Sequence, residues 1–96
     1  MTLQELRTNS KSEILAIAER RGARNIRVFG SVARGEGDRA NDVDFLVDLD
    51  PGRSLLDLCG LQRELEQLLA LKVDVVSSRG LRERVKEHVL RDAVPL

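Results

Sequence analysis

Two aspartates two residues apart, Asp42 and Asp44, sit in an otherwise apolar run, Asp42-Val43-Asp44-Phe45-Leu46-Val47. In an extended strand, side chains at i and i+2 point to the same face. The carboxylates then stand side by side, ~6–7 Å apart at their Cα atoms, while Val43, Phe45 and Val47 turn into a core. Two like charges on one strand face oppose each other's ionisation unless a cation lies between them. A divalent metal with oxygen ligands meets that need, and Mg²⁺ is typically held by one or two carboxylates plus substrate phosphates. Upstream, the apolar Val28-Phe29 runs into Gly30-Ser31. A glycine at a strand-to-helix turn lets backbone N–H groups approach a phosphate, and the Ser31 hydroxyl adds a donor. Arg34, one turn on, is a fixed cation that can reach β- and γ-phosphates.

A third carboxylate follows in Lys72-Val73-Asp74-Val75-Val76. Burying Val73 and Val75 puts Asp74 on the same sheet face as Asp42 and Asp44. Three carboxylates converging there can hold two metal ions, one to lower the pKa of an attacking hydroxyl and one to clamp a triphosphate and its leaving pyrophosphate. Asp-x-Asp alone is a weak signal, because a bare pair on a strand is more often a solvated edge. The ordered set carries more information.

That set is Gly30-Ser31, Ala33-Arg34-Gly35-Glu36, Asp42-Val43-Asp44 and the later Val73-Asp74-Val75. It resembles the signature of the DNA-polymerase-β-like nucleotidyltransferases, and above all their smallest branch, the minimal nucleotidyltransferases typified by MntA-type antitoxins. The match is tight over residues 26–50 and loose over 72–94. Asn41 stands where these sequences often have Ser. The resemblance implies that Asp42 and Asp44 ligate both Mg²⁺ ions and that Asp74 aids the hydroxyl-activating one. It implies ATP as substrate and a HEPN-class, HepT-like toxin as partner, silenced by AMP placed on a tyrosine. This chain has no tyrosine, so self-modification on that residue is excluded. Two other readings stand beside it. One is a non-catalytic module that masks the same toxin. The other is a nucleotidyltransferase acting on a small molecule, whose acceptor pocket this chain is short to build.

The elements that must position these residues can be read in order. Residues 10–21 predict a helix, with Ser10 and Glu13 at capping-box spacing and Ile14, Ile17 and Ala18 inward. Residues 1–8 predict an extra turn or a short helix. Ile26 to Phe29 and Asp42 to Leu49 predict strands, separated by a short helical segment and a loop broken by Gly35, Gly37 and Asp38. Asp50-Pro51-Gly52 is a turn. Ser54, with Asp57 at capping-box spacing, opens the longest helix, to about Leu71, with Leu58, Leu61, Leu65 and Leu68 buried. Gly60 inside it marks a close packing contact. Lys72 to Val76 is a third strand, and Leu81 to about Ala93 is a last helix with Leu81, Val85 and Val89 inward. The order α-β-α-β-α-β-α predicts an α/β fold, a small mixed sheet of three or four strands flanked by about four helices, with residues 1–96 forming one minimal domain.

Composition narrows the function further. Sixteen basic and sixteen acidic residues cancel, so the basic excess of a dedicated nucleic-acid binder is missing, and no nucleic-acid substrate is expected. Phe29 and Phe45 are the only aromatics and both fall in strands, which leaves no stacking platform for single-stranded bases. The single cysteine, Cys59, permits no intrachain disulfide and reads as a small buried hydrophobe. No apolar run approaches membrane-spanning length, and a soluble, cytoplasmic protein is expected. His88 reads as a partly exposed helix residue. Arg20, Arg21, Arg24 and Arg27 read as solvated surface, and Asp48 and Asp50 as a solvated turn.

Overall fold

The computed structural model describes residues 1–36 and 42–96. The expectations for Gly37, Asp38 and Asn41 lie outside the described residues. Four strands form one sheet, β1 (Ala23–Phe29), β2 (Asp42–Leu49), β3 (Lys72–Ser77) and β4 (Val94–Pro95), in the order β3-β2-β1-β4. β1 runs antiparallel to β2 and β4, and β2 runs parallel to β3. A parallel pair needs a long crossover, and α4 (Leu55–Leu69) supplies it.

Alternation along β2 divides the molecule in two. Val43 and Phe45 are fully buried and Val47 nearly so, in one cluster with Ile14, Ile17 and Ala18 of α2 (Lys11–Arg20), Leu61, Leu65 and Leu69 of α4, and Val73 and Val75 of β3. These helices cover one face of the sheet. The other face carries the even-numbered residues of β2 and is only partly covered. There α3 (Gly30–Ala33) packs on β1 and β2, and α5 (Glu83–Asp92) packs on β1.

α4 begins as expected. The Ser54 hydroxyl accepts from Leu56 N–H at 3.2 Å, and Ser54 N–H donates to Asp57 Oδ2 at 3.0 Å. Ala70, in a left-handed conformation (φ 54°), ends the helix short of Leu71. Gly60 marks a close contact: a Cβ there would strike the Arg21 guanidinium, which lies across it to reach Glu64 at 2.7 Å. α4 also closes one edge of the sheet, because Gln62 Oε1 accepts from Val75 N–H (3.3 Å) and Glu66 Oε2 from Val73 N–H (3.2 Å).

Several local expectations are corrected. Ser10 caps nothing. α1 (Leu3–Glu5) and a π-helical turn (Leu6–Ser10) run directly into α2, since fully buried Leu6 docks this first segment on the core. Cys59 is exposed, because two residues from Leu61 put it on the far side of the helix. β1 begins at Ala23, three residues early, with an irregularity between Arg24 and Arg27. α5 begins at Glu83, and Val85 is 48% exposed because only the C-terminal part of α5, around buried Val89, rests on the body. Val94-Pro95 is a short edge strand. A proline is tolerated at an edge because its missing N–H leaves no ladder bond unmade. It is reinforced by Leu96 N–H donating to Ile26 O (3.1 Å) and by Arg7 donating to Pro95 O and Leu96 O. Among the described residues, no helix is long and apolar enough to cross a membrane.

This division of burial sets an expected contrast. Phe45→Ala should cost about 3–5 kcal/mol, the range for emptying a packed aromatic site, while Val85→Ala should change stability by less than about 0.5 kcal/mol. Urea denaturation of both variants measures the difference, and comparable losses would contradict the packing described.

Candidate active site

The parallel register decides where the carboxylates meet. Asp44 is the ladder partner of Asp74 on one side and of Phe29 on the other. Paired residues share a face, so Asp42, Asp44 and Asp74 cluster as the alternation predicts. Each offers a carboxylate oxygen, and these atoms all lie within 4.8 Å of one another. All three residues are partly buried at the open face. An all-oxygen set of this size suits a hard cation such as Mg²⁺ and leaves positions for substrate oxygens.

Gly30 is fitted to this cluster. Its φ is +73°, and a Cβ would run into Asp44 Oδ2. The missing side chain is what lets the β1–α3 turn lie directly against the central carboxylate. Ser31 follows at the start of α3, partly exposed. Arg34 turns back over it, with its NH2 group 3.4 Å from Ser31 Oγ. The rest of the Arg34 guanidinium is engaged by Glu36 Oε2 at 3.1 Å and by Asp92 Oδ2 at 2.9 Å. The sequence-predicted set Gly30, Ser31, Arg34, Asp42, Asp44 and Asp74 therefore meets at one end of β2. Asp92, fifty-eight residues from Arg34, went unnoticed in the sequence because only the docking of α5 brings it here.

Other candidates fall elsewhere. Cys59 and His88 are exposed. Arg20 and Arg21 both pair with Glu64, and Arg24 pairs with Asp50. Asp48 is not a solvated turn residue: it lies within β2 and accepts from Ser78 Oγ (2.6 Å), Arg27 (2.8 Å) and Asn25 (3.0 Å). Arg27 is correspondingly well covered, with a side chain only 16% exposed.

Residues 11–94 match the family model described as a nucleotidyltransferase domain. The chain belongs to the nucleotidyltransferase family. It is 40% identical over 94 residues to the protein adenylyltransferase MntA of Thermococcus cleftensis, covering 98% of this chain and 95% of that one. Among solved structures it is similar to a minimal nucleotidyltransferase, with 49% identity, a TM-score of 0.84, and coverage of 100% of this chain and 97% of the other. A chain in the complex of a tri-AMPylated HEPN toxin of Shewanella oneidensis with MNT antitoxin shares the fold, at 18% identity and a TM-score of 0.69, over 88% of this chain and 66% of that one.

Electrostatics at the centre of this nucleotidyltransferase are set by crowding. The Asp44 carboxyl is pushed up from 3.8 to about 6, first by burial, then by the charges of Asp42 and Asp74 and a hydrogen bond with Asp74, against a smaller opposing pull from Arg34. The folded protein thus holds the Asp44 proton more tightly than the unfolded chain. Folding loses stability as pH rises from about 4 to about 6 and stays penalised above that. With metal chelated, Asp44→Asn should be about 1–2 kcal/mol more stable than the parent at pH 7.5, the full shift being discounted for solvent screening. The gap should close as pH falls to 4. Denaturant titrations across this range check it, and a pH-independent difference would contradict the crowding.

Proposed function

We propose that this nucleotidyltransferase moves AMP from ATP onto a protein acceptor, a tyrosine of a HEPN-class, HepT-like toxin, and thereby serves as that toxin's antitoxin. The observation that carries the reading is the convergence of Asp42, Asp44 and Asp74 beside the Gly30-Ser31 turn. The Thermococcus relative, a protein adenylyltransferase, and the Shewanella assembly, whose toxin is tri-AMPylated, support it. Residues 1–96 act as a single minimal domain, to which the toxin brings the acceptor. One exposed thiol and no disulfide suit a cytoplasmic setting.

Asp42, Asp44 and Asp74 would hold Mg²⁺, as two ions. Bound there, the metal supplies positive charge to the triphosphate and lowers the pKa of the attacking hydroxyl. The protein's own groups do the positioning. Gly30 keeps the turn clear of a side chain, so the α-phosphate can lie between backbone and carboxylates. The Ser31 hydroxyl donates to a phosphate oxygen, and Arg34 faces the β- and γ-phosphates with charge-assisted N–H bonds. Metal binding needs the Asp44 carboxyl ionised, so occupancy of the site should fall as pH drops through its raised value of about 6.

Incubation with labelled ATP, Mg²⁺ and the toxin encoded beside it should put label on the toxin. Asp42→Asn and Asp44→Asn should lower transfer by about 10²–10⁴-fold, the equivalent of losing several kcal/mol of charge stabilisation, and replacing the acceptor tyrosine by phenylalanine should abolish it. Equal transfer by the aspartate variants would defeat the metal-site assignment. Toxin neutralisation without any label, in a protein that ATP fails to stabilise, would point to masking instead.

A further inference from the structure

Among the described residues, Arg34 is the cation that follows the Gly30-Ser31 turn, and it stands near three carboxylates whose combined charge should draw it in. Arg34 lies close enough to favour the ionised form of the central carboxylate, Asp44. An arginine folded onto Asp42, Asp44 and Asp74 would occupy the place of a metal and turn away from a triphosphate. In the structure it does neither. Its Nε is held by Glu36, NH1 by Asp92 and NH2 lies against Ser31. Each terminal nitrogen carries two N–H bonds, so beyond these partners among the described residues one on each can be offered to a ligand. The side chain of Arg34 is 47% exposed, and surface ion pairs contribute little to stability, so holding this geometry serves the site more than the fold.

We infer that Asp92 is a positioning residue: together with Glu36 it holds the Arg34 guanidinium over Ser31 and away from the three carboxylates. The inference rests on the reading that Ser31 and Arg34 face the triphosphate and that the aspartates take the metal. Asp92 does this from the last turn of α5, at the end of the helix that rests on the body. Glu36 alone holds Nε from two residues away on an exposed segment. Asp92 is the partner that ties Arg34 to a packed element.

A double-mutant cycle on the full chain tests the inference, read by thermal shift and nucleotide titration. In the absence of nucleotide, Asp92→Ala should need several-fold more Mn²⁺ or Mg²⁺ than the parent for the same stabilisation, because the released Arg34 competes for the carboxylates. In an Arg34→Ala background, Asp92→Ala should change metal dependence no further. A long-range loss of negative charge would persist in that background and would overturn the inference. With Mg²⁺ present, Asp92→Ala should weaken ATP about 10-fold and leave AMP unchanged, and Asp92→Glu should recover most of the loss. Equal losses for ATP and AMP would show a merely structural role. If Asp92→Ala does not fold, Asp92→Asn, which keeps the size but not the charge, is used in the same cycle. A parent protein that responds to neither metal nor ATP would defeat the proposed function itself. A responsive parent with an indifferent Asp92 variant would defeat only this inference.

Discussion

Asp44 is opposed from two directions, by Asp42 along its own strand and by Asp74 across the parallel ladder. Such crowding is unfavourable in the protein alone, and a fold retains it only if the rest of the structure is strong enough to hold the three groups in place. That strength comes from the opposite face of the same strand. Val43, Phe45 and Val47 anchor β2 against the two helices on that face, and alternation leaves Asp42 and Asp44 no freedom to turn elsewhere. One residue of slip would exchange the two faces, burying carboxylates and exposing the core.

The opposing cation is managed with similar economy. Arg34 lies near enough to ease the ionisation of Asp44 slightly, yet it is tethered to Ser31, Glu36 and Asp92 and is not spent on the cluster. Gly30 completes the arrangement by omission, since any side chain there would displace Asp44. The site is thus made of strand alternation, one missing Cβ and one restrained arginine. All three are local consequences of the β1–α3–β2 unit, apart from the distant anchor at Asp92.

What could be read in the sequence follows from how local each cause is. The i, i+2 spacing of Asp42 and Asp44, the Gly30-Ser31 turn and the Ser54–Asp57 cap depend on neighbours within a few residues, so pattern alone exposed them. Asp74 could be assigned because valines on both sides left its side chain a single face. The misreadings share the opposite property. Leu6 overrides the cap at Ser10 through tertiary docking. Val85 looks buried by periodicity but lies where α5 extends past the sheet. Cys59 looks apolar enough to be inside, but the leucine stripe points elsewhere. Asp48 lies at the end of β2, and its partners Arg27 and Ser78 arrive from different strands and turns. The β4 strand and the Arg34–Asp92 pair link residues far apart in the chain, and no local pattern marks them.

The two margins of the sheet carry a consequence for how such a small protein meets others. At the β4 margin Pro95 has no N–H to offer. At the β3 margin the amides of Val73 and Val75 are already taken by Gln62 and Glu66. Where Pro95 and the α4 side chains cover them, these stretches of margin are poor templates for a foreign strand. Contact along those stretches is left to side-chain relief and charge, which can hold another surface without adding it to the sheet.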